Sequence, residues 1–438
     1  MVNTVCPVGT VIAKLDDVLH HTCLEVQRMN TGDTAWILVC TALVFIMTPG
    51  VAFFYGGMAR RKNILSILTQ CFAIICLVSL QWVLFGYSLS FGPDTGHGII
   101  GNLEWIGLRG VGQEPSSTYA GTVPHLAFMI FQAMFAIITP ALMVGAFAER
   151  VKFSALVLFT LLWSTFVYDP IAHWVWGAGG WLGSIGALDF AGGIVVHVSS
   201  GVSALLLAIL IGKRVGYAKQ AFAPHNLPIT FLGGALLWIG WFGFNAGSAL
   251  EAGGLAAQAF VTTNTAGAAA GMAWAFMEWK MDGAPTVLGI VSGVVAGLVA
   301  ITPACGFVSA LSAIPIGLIA GIVCYLAVAR LKPLLGYDDS LDVFGVHGIG
   351  GIWGTLATGL FAATAINPAG ADGLLLGNAR LFLVQIFYMI ICIAYALIVT
   401  GILYKVVDLL VGMRVDKQSE LIGLDLTQHN ESAYTILE

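Results

Sequence analysis

The chain has 438 residues, 58% of them hydrophobic and only 9% charged, against roughly 25% charged in soluble domains. Its mean hydropathy is +0.91 and its formal net charge −5. These values exclude an ordinary soluble domain and a basic nucleic-acid binder, and they describe a polytopic membrane protein.

Residues 1–33 hold Lys14, Asp16, Asp17, Glu25, Arg28 and Asp33 with no sustained apolar run, so they do not read as a signal peptide. They are expected to form an extracellular N-terminal segment, in which Cys6 and Cys23 either pair or stay free. Cys40, Cys71, Cys76, Cys305, Cys324 and Cys392 fall in apolar runs and read as small core residues.

A helix needs about 20 apolar residues to cross a bilayer. Eleven stretches qualify: 34–55, 64–90, 124–147, 153–170, 190–211, 228–249, 256–279, 284–304, 311–329, 343–365 and 380–406. The polar stretch 91–123 reads as a surface excursion, and the Gly- and Trp-rich 171–189 as a short interfacial piece. Alternate loops and the tail carry 14 of the 18 basic residues, and the other side keeps only Lys14, Arg28, Arg109 and Arg380. The positive-inside rule then puts the N-terminus outside and the C-terminus inside, which requires an odd number of spans. The predicted fold is all-α: eleven transmembrane helices, a 5+5 inverted repeat plus a final helix, over 34–407, followed by a cytoplasmic tail over 408–438.

Two histidines, His197 and His347, lie deep in apolar runs, on the last span of each set of five. An ionisable side chain at membrane depth is expensive and usually faces a pathway or a bundle interior. One such residue per half fits a transporter whose site lies at the repeat interface. Phe128, Phe131 and Phe135 share one helix face. That stripe faces either lipid or a pore, where it would bind a cation or exclude water. Asp189, at the outer start of span 5, caps that helix, supplies charge to an outer vestibule, or does both. No haem, zinc, Walker or Rossmann spacing is present, and no cofactor, metal or nucleic-acid partner is expected.

Six stretches are more specific. They are Pro49-Gly-Val-Ala-Phe-Phe-Tyr-Gly-Gly-Met58, Gly145-Ala-Phe-Ala-Glu-Arg150, Ala187-Leu-Asp-Phe-Ala-Gly-Gly-Ile-Val-Val-His197, Gly240-Trp-Phe-Gly-Phe-Asn-Ala-Gly-Ser248, Thr302-Pro-Ala-Cys-Gly306 and Asp342-Val-Phe-Gly-Val-His-Gly348. With them the chain resembles the Amt/Mep/Rh ammonium transporter superfamily, its Amt branch in particular, from about residue 31 onward. The resemblance implies a transporter rather than an enzyme: an eleven-helix homotrimer of the plasma membrane with one pore per subunit. Carried over residue by residue, it implies an outer ammonium site of Phe131, Trp176 and Ser248, supported by Asp189. It further implies a phenyl gate of Phe135 and Phe244, and a twin-histidine pore of His197 and His347 that passes ammonia with linked proton movement. The tail motifs Val411-Gly-Met-Arg-Val415, Gly423-Leu-Asp-Leu426 and His429-Asn-Glu-Ser-Ala-Tyr434 resemble the family's regulatory tail, where a cytoplasmic PII signalling protein docks. Two alternatives share the fold: an ammonium sensor, and a neutral-gas channel of the Rh type.

Overall fold

The structure, a computed structural model, describes residues 29–434. The expectation for Cys6 and Cys23, and nearly all of the N-terminal segment, lies outside the described residues. Among the described residues, seventeen α-helices follow one another, starting with α1 (Thr31–Met58) and α2 (Ile64–Gln81), with α3 (Tyr87–Phe91) continuing α2 through a π-helical turn, Trp82–Gly86. After a folded excursion carrying the strand pair Pro115–Ser116 and Ala120–Pro124 come α4 (His125–Phe147), α5 (Phe153–Trp163), α6 (Asp169–Trp176) and α7 (Trp181–Ser184). Next are α8 (Ser199–Ile211), α9 (Leu227–Gly247), α10 (Gly254–Asp282), α11 (Val287–Ile301), α12 (Ala310–Leu326) and α13 (Lys332–Leu335). The last are α14 (Ile349–Phe361), α15 (Ala379–Val411), α16 (Lys417–Ile422) and α17 (Leu424–His429).

Among the described residues, eight helical stretches are long and apolar enough to cross a membrane. Helices satisfy their own backbone groups, which is what hydrocarbon demands. The other three expected spans are helical too. Over 256–279 the helix α10 is diluted by small and polar residues, while α11 and α14 are short. The expected interfacial piece 171–189 is partly helical, because the fourth span continues through a π turn, Ser164–Tyr168, into α6 as far as Trp176. At the start of α1 the Asn30 side chain caps the helix, accepting from the amides of Gly32 and Asp33 at 2.8 and 3.2 Å.

Small residues set the closest helix packing. Along α1 and α9, Gly233 lies on the backbone of Phe54 and Gly240 against Met47, so that a Cβ at either place would collide. Five of the six described cysteines are buried and free; Cys76 is the exception, on an exposed face of α2, since its position on that helix turns it outward rather than into the core.

At one end of the bundle the loops are joined by ion pairs. Glu149, in a left-handed conformation at φ 74°, accepts from the Arg60 amide at 2.8 Å and pairs with Arg60 and Arg214 at 2.6 and 3.4 Å. Asp338 meets Arg214 at 2.8 Å, and the fully buried Arg150 donates to Ser340 and to the carbonyls of Ala146 and Asp338. The tail closes over the same loops of its own chain. The Val415 amide donates to Arg150 O at 3.0 Å, Val215 N to Glu420 Oε1 at 2.5 Å, Leu424 N to Asn63 Oδ1 at 2.8 Å and Ser66 N to Asp425 Oδ1 at 2.7 Å.

Burial alone would raise the carboxyls of Glu149 and Asp338. Hydrogen bonds and charge from Arg60 and Arg214 at Glu149, and from Arg214 and Arg150 at Asp338, outweigh it and hold both below their ordinary values. Groups depressed on folding contribute stability that is present above the unfolded pKa and lost as pH falls through the folded one. Thermal unfolding in detergent should therefore shift downward once pH drops below about 4, the ordinary carboxylate range, and Glu149→Gln should flatten that dependence.

Candidate functional site

The two deep histidines meet across the fold. Each sits in a π-helical turn, Gly193–Val198 before α8 and Phe344–Gly348 before α14, a feature that recurs at functional sites. Their Nδ1 atoms lie 3.3 Å apart, with ring centroids at 5.3 Å. At that distance one nitrogen donates and the other accepts, so the pair shares one proton between two neutral rings, and a doubly charged pair would set donor against donor. His197 Nε2 is buried with no partner. The other two fully or nearly buried histidines are satisfied locally. His125 contacts the Tyr87 hydroxyl at 2.6 Å, and His173 contacts Asp94 at 3.1 Å and Ser90 O at 3.0 Å.

Below the pair a narrow cavity of about 20 Å³ is lined by His197, His347, Trp241 and mostly apolar side chains including Val51, Leu142 and Leu237. That is room for about one water. Above it the aromatic rings form a column. Phe244 stacks over His197 with centroids at 6.0 Å, Phe135 stacks on Phe244 at 4.2 Å, and Trp176 stands edge-on to Phe135 at 5.8 Å. Above the Phe135–Phe244 pair a wider cavity of about 310 Å³ is lined by Phe128, Gln132, Phe135, Trp176 and Ser248, among others. It lies at the end of the bundle opposite the tail.

Asp189 is both a cap and a brace. Its Oδ1 accepts from the amides of Gly192 and Gly193 at 2.8 and 2.6 Å, its Oδ2 from Ile194 and Val195 at 2.8 and 3.2 Å. Its backbone carbonyl accepts from the Trp176 indole N–H at 2.8 Å. The carboxylate is thereby spent on the helix start and acts on the cavity through Trp176. Ser248 Oγ donates to Phe244 O at 2.9 Å, which leaves its lone pairs free. Phe131 stands behind the cavity wall: it is fully buried, edge-on to Phe135 at 5.1 Å, and close to Gly247.

Sequence reasoning passed over Asp339, although the signal was there. Asp189 precedes His197 by the same interval as Asp339 precedes His347, and a glycine follows each histidine one turn later, Gly201 and Gly351. Asp339 Oδ2 accepts from the Phe344 amide at 2.8 Å, the counterpart of the Asp189–Ile194 bond. The two glycines seat each helix on the other's histidine turn: a Cβ at Gly201 would strike Gly348, and one at Gly351 would strike Val198, Gly193 and His197.

The sequence matches the model of the Ammonium Transporter Family over residues 35–434. It is 55% identical to the ammonium transporter of Bacillus subtilis over 406 residues, 93% of this chain and 99% of that one. It is 52% identical to ammonium transporter Amt1 of Archaeoglobus fulgidus over 408 residues, 93% of this chain and 100% of the other. The fold is similar to the crystal structure of Saccharomyces cerevisiae Mep2, with a TM-score of 0.83 at 38% identity, covering 89% of this chain and 91% of that one. A sensor Amt protein is similar at the same TM-score of 0.83 but 27% identity, covering 91% of this chain and 98% of that one. With matches of this length and identity, the chain belongs to the ammonium transporter family.

Proposed function

We propose that this protein takes up ammonium at the wide cavity, strips a proton from it at the aromatic constriction, and passes ammonia along the histidine-lined cavity with linked movement of the proton. The observation that carries this reading is the column Trp176–Phe135–Phe244–His197–His347, which joins the wide cavity to the narrow one. The rings of Phe135 and Trp176 attract a cation, with Phe131 packed edge-on behind Phe135, and the oxygen of Ser248 accepts one of its N–H groups. Asp189 holds Trp176 in place. The stacked gate of Phe135 and Phe244 and the apolar cavity below impose a desolvation cost that a potassium ion cannot escape. Ammonium escapes it by crossing as neutral ammonia, its proton handed to the unpartnered Nε2 of His197 and moved on through the His197–His347 hydrogen bond. The experiment is current recording on reconstituted protein during concentration jumps: ammonium should evoke transport and an equal potassium jump should not. Potassium signals of equal size would refute the reading.

We further infer eleven spans with the N-terminus outside, the tail inside and a homotrimer in the plasma membrane. The positive-inside asymmetry and the exposed apolar side chains of α1, α9 and α10, such as Leu38, Phe45, Phe231 and Phe260, support a surface that meets lipid and neighbouring subunits. The tail, tied to the loops at Arg150, Val215 and Asn63, is the region where we infer that a PII signalling protein docks. Deleting residues from Val415 onward should leave an assembled membrane protein with lowered or unregulated transport and weakened PII binding. Native transport with native inhibition by PII would reduce the tail to a solvated end.

A further inference from the structure

Helix α4 presents Phe128, Phe131, Gln132 and Phe135 on one face, at i, i+3, i+4 and i+7. Three of the four are phenyl rings, and the polar one is Gln132. It is nine-tenths buried and lines the wide cavity beside Phe135, Trp176 and Ser248. Among the described residues its side chain makes no hydrogen bond, and its Oε1 is buried without a partner. An unmet buried amide is costly, about 1–3 kcal/mol per group, and buried polar groups in native proteins are as a rule satisfied. The missing partner is best sought in the cargo.

The other cavity groups define what that cargo still needs. Trp176 has committed its N–H to Asp189 O, and Ser248 its hydroxyl hydrogen to Phe244 O; the Tyr119 hydroxyl donates to Phe91 O and accepts from the Ala178 amide, and Thr118 stands at the exposed rim. The ring faces attract a cation without directing its N–H groups. An ammonium ion brings four N–H donors, and the Ser248 oxygen meets one of them. A second oxygen acceptor is required before the ion can shed its water cheaply. The Gln132 amide is held at neither end, so rotation about its last side-chain bond brings its oxygen to face the cavity.

We propose that Gln132 is a further ammonium-contacting residue of the wide cavity, its amide oxygen accepting one N–H of the ion. The inference rests on the vestibule reading above. An amide suits the task better than a carboxylate, because it accepts a hydrogen bond without the charge that would hold the ion against deprotonation.

The test compares wild type, Gln132→Met, Gln132→Glu and Trp176→Leu in proteoliposomes, with ammonium as the probe. Methionine keeps the length and loses the acceptor. It should raise the half-saturating ammonium concentration about tenfold, the value of one hydrogen bond to a charged group, with a maximal rate within about twofold of wild type and unchanged thermal stability. Glutamate keeps an oxygen in place and should restore half-saturation to the wild-type value or below. Wild-type half-saturation in the methionine variant, with a clear loss of affinity in Trp176→Leu, overturns the role of Gln132 and leaves the vestibule standing. Unchanged half-saturation in both overturns the vestibule itself. A parallel fall in maximal rate and stability in both Gln132 variants would make the residue a packing element and also overturn the proposal.

Discussion

Replacing His197 and His347 together with alanine is expected to abolish selective ammonium uptake while the protein still folds. The two rings are the polar groups at the neck of the narrow cavity, 3.3 Å apart, surrounded by Val51, Ile138, Leu142, Leu237 and Val295. Without them a molecule leaving the phenyl gate loses the two imidazoles that meet it at the head of a mostly apolar passage. Losing two hydrogen bonds at the top of the barrier, at about 1.5 kcal/mol each, slows passage on the order of 100-fold. The double variant is the right test because a single one leaves the other imidazole buried without its partner. The helices themselves are held by the Asp189 and Asp339 caps and by the Gly201 and Gly351 contacts, none of which involves an imidazole. Proteoliposome uptake, read beside thermal unfolding of the purified protein, decides the matter; native uptake in the double variant would remove the histidines from the pathway.

Asp189→Asn carries the second large effect. Asparagine serves at most helix starts because one side-chain oxygen suffices there. Asp189 uses both oxygens, each accepting from two backbone amides at 2.6 to 3.2 Å. Asparagine supplies one oxygen and sets an NH2 group against two N–H donors. Two amides lose their acceptor in a fully buried turn, a cost of about 2–4 kcal/mol. The same change loosens the carbonyl that fixes Trp176 and the turn that carries His197. The expected protein is folded, unfolds at lower temperature and transports poorly. Full activity at unchanged stability would mean that the four bonds contribute little. Cap and brace are therefore one device.

Features confined to one stretch of chain differ from those made by distant segments. The apolar runs, the polar excursion before α4, the basic asymmetry and the depth of His197 and His347 were all legible, because each is written within one stretch of chain. The family motifs added Trp176, Ser248, Phe135 and Phe244. Local pattern also carried two signals that went unread, the shared Asp-to-His interval and the glutamine on the phenyl face. What only the tertiary structure decided is how these pieces meet. It puts Phe131 behind the cavity wall and Gln132 on it, commits both oxygens of Asp189, joins two Nδ1 atoms across 150 residues, and lays the tail on the loops of its own chain. Such contacts arise from the packing of distant segments, in which a Gly at one position makes room for a turn at another. They leave no period in the sequence, since hydrophobic burial fixes which face of a helix is hidden but not which neighbour hides it.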